Sequence, residues 1–272
     1  MKKMMLFCAA LLCLGACVGQ KDDPEEPEPI VEPVEPVDPG AAEGNAFFRR
    51  VLAIEFTGTW CHNCPDMAAA LVDAMGQRPE RIITIALHEN DELMAPEVSG
   101  IDALFGVYSL CPTMILDWDK STSFTEKSAQ RMVTYVDRAV EGKAPCGIAL
   151  SSDRIGESLS VTVRIRAAAE GTYTVFAALV EDGIRVYQQG YGANYVCDAV
   201  LREYLGHDYQ TGRSATLKEG EEFETVYATA VPENPATFRI VAYVLQEGKA
   251  VNAVTAPLDT SKDYSYEKVD SQ

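Results

Sequence analysis

Basic residues are scarce in this 272-residue chain, where 23 Lys and Arg stand against 41 Asp and Glu and there are only three histidines. Nucleic acid and anionic lipid are held by clustered Lys and Arg, so neither is an expected partner. The imbalance is spread along the chain. Nine acidic residues and one lysine fall between Lys21 and Gly44, yet the part after Gly44 still holds 32 acidic against 20 basic residues. Long apolar runs are lacking too. The run from Met4 to Ala16 is too short to span a bilayer, follows Lys2 and Lys3, and ends in small residues, which marks residues 1–16 as a secretion signal. A second Cys-X-X-Cys is missing, which counts against a structural zinc site. No ligand set is complete by spacing, so neither a metal nor a cofactor is expected.

What is present centres on Val51 to Leu71. Val51 to Phe56 is apolar and β-rich except for Glu55, Thr57-Gly58-Thr59 breaks the strand, and Cys61-His62-Asn63-Cys64-Pro65 opens a helix continuing through Met67, Leu71 and Met75. A helix start presents unpaired N–H groups and partial positive charge, which favour a thiolate. Cys61 is therefore expected to be the exposed nucleophile, and Cys64, one turn in, the resolving thiol. His62, inside the motif, would favour the thiolate and tune how oxidising the pair is.

A Cys-X-X-Cys between a strand and a helix resembles the redox site of thioredoxins. Phe105 to Asp117 resembles the thioredoxin segment in which a cis-proline, here Pro112, faces that site and leads into the next strand. Glu55 stands where thioredoxins bury an aspartate that exchanges a proton with the resolving cysteine. Cys111, before the proline, departs from the pattern, which normally has Thr, Val or Ile there. It is a possible third thiol facing the motif, open to disulfide exchange, simple packing or soft-metal binding. His88 follows the second strand; it could assist catalysis or join Cys61 and Cys111 on a metal, against the alternative of an exposed loop histidine. His207 is expected in a surface turn.

Phe56-Thr-Gly-X-X-Cys-X-Asn-Cys-Pro65, with Val200-Leu-Arg202 and the closing strands from Val241 to Val254, also resembles the outer membrane protein 28-related lipoproteins of Bacteroidetes. That resemblance implies a thioredoxin-like half joined to a β-sandwich and carries no settled activity. Leu14-Gly15-Ala16-Cys17 resembles a bacterial lipobox, which implies cleavage before Cys17 and lipidation of that residue. Several acyl chains on one residue suffice for stable anchoring, so a membrane is an expected partner through Cys17. Lys21 to Pro39 is rich in Glu, Asp and Pro; at about 3.1 Å per residue it would reach roughly 60 Å as a tether. The expected location is the outer membrane, on the periplasmic face or the cell surface.

From Ala46 to Gly142 the order reads strand, helix, strand, loop, strand, helix, with Arg81 to Leu87 as a buried parallel strand and Thr125 to Glu141 as the last helix. The hairpin strand after Trp118 is the weak point, because the residues up to Thr125 are few and polar. After Pro145 the period becomes two, as in Leu159, Val161, Val163 and Ile165, and strands at Tyr173 to Val180, Ile184 to Gln188, Phe223 to Ala228 and Phe238 to Leu245 follow. Asn194 to Leu205 reads as an irregular or helical excursion. The expected fold is an α/β thioredoxin-like domain over residues 46–142, after a tether at 17–45, and then an all-β antiparallel, immunoglobulin-like sandwich over 143–272 without the Cys and Trp spacing of true immunoglobulin domains.

Cys146 and Cys197 are the only cysteines of the second half and are expected to pair. Closing that loop of about 52 residues would stabilise the fold by roughly 4 kcal/mol; two isolated buried thiols are the alternative. The expected function is a membrane-anchored thiol–disulfide oxidoreductase acting on protein thiols and disulfides. A surface adhesion or interaction module with a structural or vestigial thioredoxin-like half is the other reading.

Overall fold

A computed structural model describes residues 45–206 and 208–268. The expected signal peptide, lipidated Cys17, tether and the turn at His207 lie outside the described residues. A short strand, β1 (Ala46–Phe47), pairs with β16 (Tyr266–Glu267), so the start and end of the described chain meet.

The next elements set the frame of the site. β2 (Val51–Thr57) runs parallel to β3 (Ile82–His88) and antiparallel to β4 (Thr113–Leu116), and helix α1 (Cys64–Gln77) crosses between β2 and β3. Because strand side chains alternate, β2 feeds two cores. Leu52, Ile54 and Phe56 face one, with Val98, Ile101 and Phe105 of α2 (Val98–Phe105). Val51 and Ala53 face the other, with Met67, Leu71 and Ala74 of α1 and Met132, Val133 and Val136 of α3 (Ala129–Ala139). Glu55 follows Val51 and Ala53 in this alternation, so the only charged side chain of β2 belongs to the face covered by α1. The expected hairpin strand after β4 shrinks to one bridge, Met114 with Phe124, beyond a 3-10 turn at Lys120–Thr122.

The remaining strands are β5 (Cys146–Ile155), β6 (Ser158–Ala167), β7 (Gly171–Glu181), β8 (Ile184–Gln188), β9 (Gly192–Cys197), β10 (Val200–Tyr204), β11 (Arg213–Leu217), β12 (Glu222–Ala230), β13 (Phe238–Gln246), β14 (Lys249–Pro257) and β15 (Ser261–Lys262). β12, β6, β5 and β15 form one sheet. The larger sheet runs β14-β13-β7-β10-β3-β2-β4, with β11 also on β7. Leu159, Val161, Val163 and Ile165 of β6 are buried at every second position, as their period predicts, and meet Tyr173, Val175, Ala177 and Leu179 of β7 in a core between the sheets. The other face of β7, through Phe176, Ala178 and Val180, joins the core of Leu52 and Phe105. One sheet therefore extends from β4 across residue 142 to β14.

Two expectations need correction. Residues 194–205 are not helical, since β9 and β10 occupy them and β10 lies parallel to β3 through Val200 opposite Ala86. The segment expected as a loop before Pro112 contains α2, whose buried Val98, Ile101, Asp102 and Phe105 recur at helical spacing despite Gly100.

Candidate functional site: a cysteine pair under a hairpin

Cys61 and Cys64 form a disulfide, with Cα atoms 5.5 Å apart, at the junction of β2 and α1. The local sequence dictates the shape. Gly58 sits where a side chain would strike Trp60 and the Glu89 carbonyl, the Cys61 N–H donates to the Gly58 carbonyl over 3.0 Å, and Pro65 fits the first turn of α1, where its missing N–H costs nothing. Lys127 bonds both Asn63 Oδ1 (2.9 Å) and Asp66 Oδ2 (2.8 Å), tying the helix start to the chain before α3. Hydrogen bonds from Lys127 and Tyr191 hold the Asp66 carboxyl below its usual range.

Cys61 was expected to be exposed. It is only 5% exposed, against 2% for Cys64, because the β8–β9 hairpin lies over the motif. Gln188 Nε2 donates to the Cys61 carbonyl (2.7 Å) and the Gly58 carbonyl (3.2 Å), and the Gln189 N–H donates to Thr59 O (2.8 Å). Tyr191 Oη donates to Asp66 Oδ1 over 2.6 Å. Gly190, at φ +86°, approaches so closely that a Cβ would lie 2.3 Å from His62 Nδ1. His62 itself is exposed on its other sides.

A carboxylate holds the loop from the other flank. Asp91 accepts from Thr59 N (2.7 Å), Leu93 N (2.9 Å) and His88 Nδ1 (2.8 Å). Burial pushes the Asp91 carboxyl up, but the hydrogen bonds from His88 and these backbone groups outweigh it and leave it below the ordinary value. His88 is thus neither an exposed loop residue nor one of a set of metal ligands. It is 3% exposed at the end of β3, and no cluster of three or more His, Cys, Asp or Glu able to hold a metal occurs among the described residues.

Pro112 is buried and the Cys111–Pro112 peptide is cis. Cys111 is free and half-buried, and its thiol contacts Glu89 Oε1 at 3.4 Å. Burial first, and then the Glu89 charge, push the Cys111 thiol well above its ordinary value, so it is a poor thiolate. Glu89 also accepts from Ser109 N (2.8 Å), while its carbonyl accepts from Trp60 Nε1 (2.6 Å). Asp102, fully buried, has neither carboxylate oxygen hydrogen-bonded; burial and the nearby Glu89 charge raise it to about 7.

Glu55 and Cys64 line one cavity of about 540 Å³ beneath α1. Glu55 is 6% exposed, its Oε1 has no hydrogen-bond partner, and burial raises its carboxyl to about 7. It is poised to hold or release a proton near neutral pH.

The expected Cys146–Cys197 disulfide is absent. Both thiols are free and buried, Cys146 in the core between the sheets and Cys197 in a separate cluster with Leu93, Val186 and Val200. The chain keeps β5 and β9 in different layers, and burial raises each thiol to about 12. Gln188, Asp91 and Tyr191 escaped the sequence reading. The only local signal for Gln188 and Tyr191 is Gly190-Tyr191-Gly192, which marks a tight turn but not what the turn covers.

Fold and site together define a mostly β protein of several sheets with a Cys-X-X-Cys disulfide at a helix start. The family described as outer membrane protein Omp28 matches residues 101–262, and the chain belongs to that family. The match begins after the cysteine pair, so the disulfide lies outside the matched residues. Among solved structures, HBP35 of Porphyromonas gingivalis is similar at a TM-score of 0.70 and 15% identity, over 84% of this chain and 81% of that one. A structural-genomics protein from Agrobacterium tumefaciens is similar at 0.50 and 15% identity, over 77% and 94%. At such identities the likeness concerns the fold alone. No curated protein sequence matches. Among the described residues, no helix is long and apolar enough to cross a membrane.

Proposed function

We propose that this chain is a membrane-anchored, exported thiol–disulfide oxidoreductase, with a thioredoxin-like part around β2, α1, β3 and β4 and an immunoglobulin-like sandwich after it. The observation that carries this reading is the bonded Cys61–Cys64 pair at the start of α1 with a buried carboxyl, Glu55, whose Oε1 has no hydrogen-bond partner, in the cavity behind it. In the reduced form, the Cys61 thiolate attacks a substrate disulfide, forming a mixed disulfide and expelling one substrate thiolate. Glu55 takes the proton of Cys64, whose thiolate attacks Cys61 Sγ, re-forms the Cys61–Cys64 bond and releases the second substrate thiol. Run in reverse, the same steps oxidise a substrate dithiol and leave the protein reduced. Pro112 would present its backbone to the bound chain, and His62 would stabilise the Cys61 thiolate.

Burial of Cys61 constrains this scheme. Substrate reaches the sulfur only when the turn from Gln188 to Tyr191 moves aside. Anchoring would come from lipidated Cys17, placing the protein at the outer membrane, in keeping with its family. A thiol-exchange assay with a disulfide-bonded peptide tests the proposal. Turnover that disappears in Cys61→Ser supports it. No turnover, together with a reduction potential below about −300 mV, supports a structural disulfide in a surface interaction module instead.

A further inference from the structure

The cavity behind the disulfide is larger than a proton relay requires. Its volume of about 540 Å³ is that of a small-molecule site. One wall is α1, through Leu71, Val72 and Met75. The other is β9 with the residues that flank it, from Tyr191 to Ala199, and the buried lining includes Glu55 and Thr84. Val72 and Val196 are well exposed, so the space communicates with solvent, while Glu55 at its base is almost wholly buried.

Two features say what would fit. Glu55 Oε1 is a buried acceptor without a donor, a state that costs free energy until a donor arrives. The lining also holds four carboxylates, Glu55, Asp66, Asp73 and Asp198, against one guanidinium, Arg239, whose Nε is already bonded to Asp182 Oδ2 at 2.8 Å. Tyr195, half-buried and edge-on to Tyr191 at 5.8 Å between ring centres, adds an aromatic surface. Aromatic faces attract cations, and a carboxylate pairs with an ammonium.

We propose that this cavity binds a small organic cation, an amine on an apolar or aromatic body, with its ammonium on Glu55 and its body between Tyr195 and the α1 residues Leu71 and Met75. The site concerns ligand binding by the oxidised protein and does not rest on exchange activity. Benzylamine, benzyl alcohol and benzoate share a shape and differ in charge, so titrating each into the full-length oxidised protein by calorimetry and ligand-observed NMR isolates the role of charge. Benzylamine should bind saturably and about tenfold or more tighter than benzyl alcohol, with benzoate excluded. Glu55→Gln should reduce benzylamine to the level of benzyl alcohol. Ala68→Trp, on the partly exposed flank of α1 that lines the cavity, should weaken benzylamine about tenfold or more with the disulfide and circular dichroism intact. Absence of saturable benzylamine binding, which would leave only water on Glu55, overturns the proposal. Equal binding of benzyl alcohol, or undiminished binding in Ala68→Trp, does so too. The ligand series reads charge preference even if Glu55→Gln fails to fold.

Discussion

Replacing Glu55 by glutamine should change how stability depends on pH. Burial raises this carboxyl from 4.5 to about 7, so the folded protein holds the proton more tightly than the unfolded chain does. The stabilisation from that proton is complete below the unfolded value of 4.5 and is lost as pH rises through about 7. Each tenfold in proton affinity is worth about 1.4 kcal/mol, so Glu55 withdraws roughly 3 kcal/mol from the folded state between acid and mildly alkaline pH. Glutamine keeps the shape and cannot ionise. Asp102, also raised to about 7, loses its proton in both proteins and cancels in the comparison. Urea unfolding of both oxidised proteins across this range should show the variant gaining roughly 3 kcal/mol on the wild type as pH rises. A wild-type and variant difference that stays constant with pH would refute the argument that Glu55 is buried without compensation. In the exchange assay the same variant should slow resolution by Cys64.

Other outcomes are equally specific. Gly190→Ala places a Cβ against His62 at a left-handed backbone position and should lift the hairpin; at about 1 to 2 kcal/mol, dithiothreitol should reduce Cys61–Cys64 about fivefold or more faster, and an unchanged rate would mean the hairpin does not guard the sulfur. After reduction, alkylation at neutral pH should mark Cys61 faster than Cys64, and equal slow rates would remove Cys61 as nucleophile. Alkylation under denaturing, non-reducing conditions should label Cys111, Cys146 and Cys197 in peptide maps, whereas a linked Cys146–Cys197 peptide would contradict the structure. Asp117 bonds Arg49 Nη2 at 2.6 Å and Leu52 N at 2.9 Å; Asp117→Asn removes the carboxylate partner of buried Arg49 and should cost about 3 kcal/mol in urea unfolding, and a loss under about 1 would show the pair to be dispensable.

The parts of the site that are contiguous in sequence were legible. Strand β2, the cysteine tetrad and the Pro65 helix start lie within about two dozen residues, and each carries its own local signal. The alternation of β6 was equally plain because one face is buried and the other meets solvent. Helix α2 was hidden by Pro96 just before it and Gly100 within it, both of which punctuate a pattern whose apolar spacing is helical. What covers Cys61 could not be read, because Gln188 and Gln189 come more than 120 residues later and bond to backbone carbonyls that any sequence would offer. The Cys146–Cys197 pairing failed for a related reason. Two thiols in one half of a chain are close only if the layers bring them together, and these strands lie in different layers.

The parallel contact between β3 and β10, Val200 opposite Ala86 with the Ala86 N–H on the Ala199 carbonyl at 2.8 Å, ties the second half of the chain to the first. The stretch that matches the family starts at residue 101 and so includes β4 and β10 but not β2 and β3, against which both are laid. Cut out by itself, that stretch would expose the flanks of β4 and β10 as raw edges, primed to adhere to other chains. An isolated 101–262 fragment would therefore need two strands in the place of β2 and β3 to cover those edges, with or without the cysteines.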